Sequence, residues 1–212
     1  MTAKKREGYP IWLLLLIGVV IEVIFIVAFI SPATMRDAIN RERLTAIDQI
    51  GADSEQSVRN AANGIFKKTI VESGLQKAAY ETTGITTNPD SEDSPTTQVS
   101  MFAVHTLQTA FGAYYLMLYR IASMSAWYPL LLPLLLAAML DGFVYWKVTQ
   151  WRFSFASPAI HKFGLTSTTT ILLVALVALF LPLPLTPFFA PTIVISLSVS
   201  TWMLISNMPK FW

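Results

Sequence analysis

The sequence predicts an all-α membrane protein, and three observations carry this fold class. Hydrophobic residues make up 54% of the 212-residue chain and charged residues only 13%, about half the charged fraction of ordinary soluble domains. Four apolar stretches are long enough to cross a bilayer as helices. The one long polar stretch lies between the first and the second of them. We therefore expect four transmembrane helices, with a helical periplasmic region between the first and second spans.

The predicted elements follow one another along the whole chain. They are a cytoplasmic N-terminus (1–9), transmembrane helix 1 (10–30), a periplasmic helical region (31–125) with a mobile loop (82–98), transmembrane helix 2 (126–146), a cytoplasmic loop (147–163), transmembrane helix 3 (164–181), a Pro-rich periplasmic hairpin (182–187), transmembrane helix 4 (188–207) and a cytoplasmic C-terminus (208–212). The first apolar run exceeds the roughly 7 to 15 residues of a secretory signal, so we interpret it as an uncleaved span.

The orientation follows from the distribution of Lys and Arg. Seven of the 15 basic residues fall in the short termini and in the loop 147–163, where acidic residues are rare. The other eight lie in the long region 31–125, together with ten acidic residues. Because short cytoplasmic segments carry an excess of basic residues, we expect both termini and the loop 147–163 on the cytoplasmic side, and residues 31–125 on the opposite side, which is the periplasm in a Gram-negative host.

The segment 99–120 is apolar enough to compete with this topology. His105, Gln108 and Thr109 interrupt it, and a fifth span here would move the basic residues of the loop 147–163 to the outer side. We expect instead a helix on the outer side, which lies on the membrane surface or leads into the second span.

Several classes of function are excluded by what the sequence lacks. The chain has no cysteine, so it forms no disulfide, thiolate nucleophile or thiolate metal site. It also carries no phosphate-binding glycine loop, dinucleotide fingerprint, paired-histidine zinc motif or nucleophile elbow. With a net charge of only +2, direct nucleic-acid binding is not expected. We predict no catalytic residue, no cofactor and no bound metal.

Glu22 is a carboxylate near the middle of the first span, in the sequence GVVIEVIFIV. A charge at this depth costs on the order of 3 kcal/mol on insertion scales, so the side chain should face protein, neutral and hydrogen bonded. Gly18 lies one turn before Glu22 and Phe25 continues the same stripe, a pattern that favours close helix packing. We expect Glu22 to bind a helix of this chain or of a partner.

The other polar groups of the spans lie in the second and fourth helices. Thr192, Ser196 and Ser200 recur every four residues, which suits close packing and a hydrogen bond to a buried acid. Asp141 and Gly142 lie in the cytoplasmic half of the second span. We predict that these residues join Glu22 in packing helices or binding a partner.

The cytoplasmic loop 147–163 combines aromatic and basic residues. Its candidate functional residues are Lys147, Trp151, Arg152, His161 and Lys162. One interpretation is an interfacial belt that binds membrane lipids. The other is a docking loop for a cytoplasmic partner.

The second half of the chain resembles a known family. Asp141-Gly142 is followed by an aromatic and basic stretch, then SPAIHK (157–162), a Pro-punctuated hairpin and a last span with a basic C-terminus. This order is similar to that of the TraJ-like integral membrane proteins of conjugative plasmids and integrating conjugative elements, encoded beside a TraD/TraG-type coupling ATPase. The family's arginine run after Asp-Gly is reduced here to Lys147 and Arg152.

The resemblance implies an inner-membrane structural subunit of a conjugative type IV secretion apparatus, without catalytic activity of its own. It would partner the coupling ATPase in a hetero-oligomer that can hold several copies. Two alternatives stay open from the residues themselves. One is a proton-coupled transporter or channel that uses Glu22 and Asp141, and the other is a sensory or entry-exclusion protein that acts through residues 31–125.

Overall fold

The computed structural model describes residues 11–82, 95–152 and 157–209, and within them it contains helices and turns but no strand. The helices are α1 (Ile11–Phe29), α2 (Pro32–Ile50), α3 (Ala52–Phe66) with a π-helical extension (Lys67–Val71), α4 (Leu75–Thr82), α5 (Pro95–Ser125), α6 (Tyr128–Trp151), α7 (Pro158–Phe180) and α8 (Phe189–Ser206). The all-α prediction is confirmed for this part of the chain.

Three of the described helices, α6, α7 and α8, are long and apolar enough to cross a membrane. Residues 16–29 of α1 and the helix α2 are together also long and apolar enough, but the two helices are bent by 112° relative to each other. The number of candidate spans is therefore three, or four if this bent pair is one span. The 19 residues of α1 extend about 28 Å, close to the thickness of a bilayer core. The α2 sequence carries six charged residues, so we interpret α1 alone as the first span.

Two helices begin with the same Ser-Pro-Ala sequence. Ser31 accepts a hydrogen bond from the backbone N–H of Thr34 at 3.1 Å, and Ser157 accepts one from Ile160 at 3.4 Å. In each case a proline occupies the first turn, where its missing N–H is not needed. Ser31 therefore separates α1 from α2 at a bend of 112°.

The four apolar helices form a row. The helix α8 packs against both α6 and α7, and α7 also packs against α1 and α5. Close approach occurs at Gly164, where an added Cβ would lie 2.7 Å from the backbone nitrogen of Leu204. Few side chains are buried within the chain along α6, α7 and α8. The row therefore leaves most of its apolar surface to lipid or to other chains.

The described residues of the predicted outer region, 31–82 and 95–125, form a small helical unit against one end of this row. Helices α2 and α3 reverse direction at Gly51, whose φ of +85° favours glycine. Both pack on α5, around a core that includes Val58, Ala62 and Tyr119. A second cluster joins Ile26 of α1 to Met35, Ala113 and Leu116. The unit thus shares its core with the first span.

Some helix ends differ from the predicted element boundaries. The segment 99–120 belongs to one 31-residue helix, α5, which packs on α1, α2, α3 and α7 and ends before α6. Of the predicted loop 82–98, Thr82 ends α4 and 95–98 already belong to α5, while 83–94 lie outside the described residues. The helix α6 continues through Trp151 and α7 begins at Pro158, because no residue in these stretches interrupts the backbone hydrogen bonds.

Candidate functional site

A buried ion pair connects the outer region to the row of apolar helices. Arg120 of α5 and Glu42 of α2 are only 3% and 5% exposed. The Nε of Arg120 donates to both carboxylate oxygens of Glu42 at 3.1 Å, and Nη2 donates to Oε2 at 2.7 Å. Two residues that lie 78 positions apart in the sequence are therefore held in a bidentate contact.

The same guanidinium holds the end of α7 and the hairpin that follows. Nη1 donates to the carbonyl oxygens of Ala178 and Leu181, and Nη2 donates to that of Leu183 at 2.6 Å. The backbone N–H of Leu185 donates in turn to Glu42 at 3.4 Å. A cation beside the last carbonyls of a helix is stabilised by the helix dipole. Arg120 thus supplies donors to carbonyl groups next to the Pro-rich hairpin, of which that of Leu181 also accepts from the backbone N–H of Leu183 at 2.8 Å.

A second buried acid lies beside this pair. Glu55 is 2% exposed; it accepts a hydrogen bond from Nε of Arg43 at 3.0 Å and lies 3.8 Å from Nε of Arg59. Burial raises the pKa of Tyr119, and the Glu55 and Glu42 carboxylates add to this effect. Tyr119 lines a cavity of about 20 Å³ together with Glu42 and Arg120, a volume large enough for about one water molecule.

Neither Glu42 nor Arg120 was among the residues singled out from the sequence. Arg120 ends the apolar run AYYLMLYR, and Glu42 lies between two arginines in RER. The sequence signal that could have identified Arg120 is a single basic residue inside an otherwise apolar helix. Such a residue is buried only when it is paired with an acidic group.

Glu22 lies where its span meets α5 and α7. Both of its carboxylate oxygens are buried and have no hydrogen-bond partner among the described residues. Arg120 is close enough to interact with it electrostatically. Within the described residues no hydrogen bond joins Glu22 to Thr192, Ser196 or Ser200 of α8, and α1 packs on α5 and α7. The role of Glu22 in binding a helix stays a prediction.

The surface of α1 beside Glu22 is open. No atom lies within 4 Å of the position that a Gly18 side chain would occupy. The Phe25 ring is 58% exposed and packs on Phe29 of the same helix, with a centroid distance of 4.7 Å. The close helix contact expected at Gly18 is therefore absent from the described chain, which leaves this stripe free for lipid or for a partner's helix.

Asp141 and Gly142 both contact α8. The indole Nε1 of Trp202 donates to Asp141 at 2.6 Å. An added Cβ at Gly142 would lie 3.3 Å from the carbonyl oxygen of Trp202 and from Cβ of Ile205. The Asp-Gly pair therefore fixes the contact between α6 and α8, while the Asp141 side chain itself stays exposed at the surface of the row.

The three hydroxylated residues Thr192, Ser196 and Ser200 of α8 differ in burial and in hydrogen bonding. Ser200 is buried and accepts a hydrogen bond from Thr168 of α7 at 3.1 Å. Thr192 and Ser196 are exposed, and the Thr192 hydroxyl donates to the Phe188 carbonyl one turn earlier. Of the three residues, Ser200 alone joins two spans within the described chain.

The candidate docking residues lie on two helix ends. Lys147 is exposed, with its Nζ 5.7 Å from the centre of the Trp146 ring, and Trp151 is 87% exposed. Arg152 directly follows α6, while His161 and Lys162 lie in the first turns of α7. The His161 ring contacts the Leu204 carbonyl at 3.0 Å. His161 thus joins α7 to α8, whereas Lys147, Trp151 and Lys162 point away from the chain.

A family model described as DtrJ-like, IncC plasmid conjugative DNA transfer protein, matches residues 26–208. The chain belongs to the DtrJ-like family. The match extends from the C-terminal end of α1 to the end of α8 and includes Glu42 and Arg120, whereas Gly18, Glu22 and Phe25 precede it. No curated protein and no solved structure matches the chain.

Membership in the DtrJ-like family indicates a protein of plasmid conjugative DNA transfer. The predicted assignment to conjugation is thereby confirmed. The likeness to TraJ-like proteins and the coupling ATPase as a partner stay predictions, as do the inner membrane and the orientation of the termini.

Proposed function

We propose that this DtrJ-like protein is an inner-membrane subunit of the conjugative DNA-transfer apparatus and that it partners the coupling ATPase through its membrane helices. The match to a conjugative transfer family carries the proposal. The chain would provide a membrane platform, and the ATPase would supply the energy for DNA translocation.

The packing of the spans supports a role in assembly. Only 6% to 22% of the residues in the apolar windows of α6, α7 and α8 are buried within the chain. At the other end of the row, Gly18 and Phe25 leave an open stripe on α1. A membrane helix in a finished assembly gains stability from close packing and interhelical hydrogen bonds. These spans have surface available for both.

The first experiment uses a plasmid that carries its complete transfer region. Deletion of this gene should reduce conjugation frequency at least a hundredfold, and supply of the gene in trans should restore it. Affinity purification of the tagged chain in mild detergent should also recover the coupling ATPase. Normal conjugation by the deletion strain would refute the proposal, and so would a purified particle that lacks the ATPase.

Substitutions of Glu22 distinguish a role in assembly from a role in proton transfer. Glu22→Leu removes the only polar group on its face of α1 and should reduce ATPase recovery several-fold, whereas Glu22→Gln keeps a polar side chain of the same size and should be tolerated. Co-purification and conjugation frequency are measured for both variants. A severe transfer defect in Glu22→Gln with unchanged co-purification would favour the proton-coupled alternative, which the unpaired carboxyl makes worth testing.

A further inference from the structure

One face of α5 rests on the end of the first span and continues beyond it. The Thr109 hydroxyl donates to the carbonyl of Ile30, which directly follows α1, at 3.1 Å. Ala113 belongs to a buried cluster that includes the same end of α1. Residues four and seven positions apart lie on the same face of a helix. His105 and Phe102, four and seven residues before Thr109, therefore continue the face of α5 that contacts α1.

The helix α5 lies across the end of α1. An added Cβ at Gly112 would lie 2.7 Å from Cγ of Met35, and Arg120 binds Glu42. These two contacts are eight residues apart in α5 and seven apart in α2, so the two helices run side by side in the same direction. Because α2 is bent by 112° from α1, the first turns of α5 extend mainly sideways from the first span.

The opposite face of α5 is covered by α3. Leu118 and Ala122 of α5 share a buried cluster with Val58 and Ala62 of α3. At 3.6 residues per turn, Leu118 and Ala122 lie about 140° to 180° around the helix from Thr109. The helix α5 is thus held between α1 on one side and α3 on the other. The face that carries Thr109 is therefore directed toward the membrane that α1 enters.

The side chains of this face that extend past α1 are exposed. Phe102 is 65% exposed, its neighbour Met101 is 62% exposed, and His105 is exposed as well. Phe102 lies about 10 Å along α5 from Thr109, which is more than the radius of a helix about 10–12 Å wide. These side chains therefore lie past the edge of α1, above the lipid that surrounds the first span.

An exposed cation lies beside this apolar stretch. Arg36 is near the start of α2, and its Nη2 donates to Oε1 of Gln108 in α5 at 3.3 Å. In a helix that lies on a membrane, apolar side chains enter the boundary of the acyl chains, and basic side chains reach the polar headgroups. The position of this stretch at the end of a span and its mixture of side chains both favour lipid.

From these observations we infer that residues 101–108 of α5 bind the outer surface of the bilayer, with the Phe102 and Met101 side chains at the boundary of the acyl chains. The sequence left open whether the segment 99–120 lies on the membrane or leads into the second span. The structure divides this helix into a part packed in the outer unit and a part that extends over lipid. The inference does not depend on a partner ATPase.

A fluorescent label in reconstituted vesicles tests this contact. The chain has no cysteine, so Phe102→Cys provides a unique site for a nitrobenzoxadiazole label. The purified protein is placed in vesicles of phosphatidylethanolamine and phosphatidylglycerol at about one chain per vesicle. Lipids that carry a nitroxide near the headgroup should quench this label about threefold more strongly than iodide present on both sides of the membrane.

The matched control is Asn60→Cys in α3. Asn60 is exposed, and it lies on the side of α3 opposite to Val58 and Ala62, which pack toward α5. A label at this position should show the reverse pattern, with strong quenching by iodide and weak quenching by the nitroxide lipids. The two labels together distinguish a specific lipid contact of α5 from a general closeness of the outer unit to the membrane.

A substitution links the contact to the apolar side chain. With the label at His105→Cys, the additional change Phe102→Asp should lower the quenching by nitroxide lipids about twofold, because a carboxylate opposes entry into the bilayer. Val71→Asp changes another exposed apolar residue of the outer unit, 47% exposed, and should leave this quenching unchanged. Circular dichroism checks that the variants keep their helix content.

Lipid quenching at position 102 that persists when the protein is diluted into more lipid would support the inference. Strong quenching by iodide alone would overturn it, because the face would then lie in water. Weak quenching by both agents would also overturn it, since protein would cover the face. A protection that disappears on dilution would identify that protein as a second copy, and one that persists would identify another part of this chain. Equal lipid quenching with and without Phe102→Asp would contradict the role of the ring.

Discussion

Arg120 makes six hydrogen bonds to parts of the described chain that are distant in sequence. Its guanidinium binds Glu42 and the carbonyl groups at the end of α7, so one side chain connects α5, α2 and the hairpin before α8. A buried ion pair is a poor source of net stability, because both charges lose their hydration. Its value lies in geometry, since the bidentate contact and the carbonyl acceptors allow only one relative placement of these elements.

Removal of one partner of the pair should be far more damaging than removal of both. Arg120→Ala leaves Glu42 charged and unpaired in a buried position, so we expect a loss of about 3–5 kcal/mol in the free energy of unfolding. The double variant Arg120→Met, Glu42→Leu should recover a large part of this loss. Unfolding of the purified protein in detergent, followed by circular dichroism, measures both. Equal losses of unfolding free energy in the single and double variants would contradict the explanation that the unpaired charge of Glu42 causes the loss.

Tyr119 makes the stability depend on pH at the alkaline end. Burial raises its pKa above the ordinary value of 10.0, so the folded state keeps the phenol proton while the unfolded state loses it. Stability is therefore fully present below pH 10 and falls as the pH rises above it. Tyr119→Phe should make this fall shallower, whereas Tyr128→Phe, an exposed ring, serves as the control. Identical alkaline profiles for the wild type and Tyr119→Phe would count against this assignment.

At the scale of elements, the sequence predicts the apolar helices but not how they meet. The predicted spans overlap α6, α7 and α8, with ends that differ by one to six residues, because a bilayer requires about 20 apolar residues per helix. The shapes of the side chains decide which helices become neighbours. The spacing of apolar residues in the sequence does not show these neighbours when apolar residues surround the whole helix. Glu22 makes no hydrogen bond to Thr192, Ser196 or Ser200 within the described residues, and its role in helix packing stays a prediction. For Asp141 and Gly142 the sequence indicated helix packing but not that the neighbouring helix is α8.

Gly164 controls the distance between α7 and α8. Its missing side chain allows the backbone of Leu204 to approach, so Gly164→Ala should separate the helices and lower the free energy of unfolding by about 1–3 kcal/mol. Gly64 in α3 is the matched control, because no atom lies within 4 Å of its Cβ position. There the same change should stabilise the helix by about 0.5–1 kcal/mol. Unfolding in detergent compares the two, and equal effects would show that close packing at Gly164 is unimportant.

For the whole molecule, the topology is the prediction that all others require. The chain has no cysteine, so each introduced cysteine is a unique label. A membrane-impermeant maleimide added to spheroplasts should label Lys77→Cys, on the exposed side of α4, but not Lys162→Cys at the start of α7. Both should react after permeabilisation. The reverse pattern would place the termini on the outer side and would invalidate the assigned cytoplasmic face.

The buried pair also dictates an order of assembly during synthesis. Arg120 is made with α5, but the carbonyl groups that it binds belong to residues 178–183, close to the end of the chain. A ribosome that has completed the outer region has therefore produced Arg120 and its partner Glu42, but not the carbonyl groups that Arg120 also binds. The outer region reaches its final form only after α7 has been inserted into the membrane. A chain truncated before residue 178 should therefore be recognised by quality-control proteases, although its outer helices are complete.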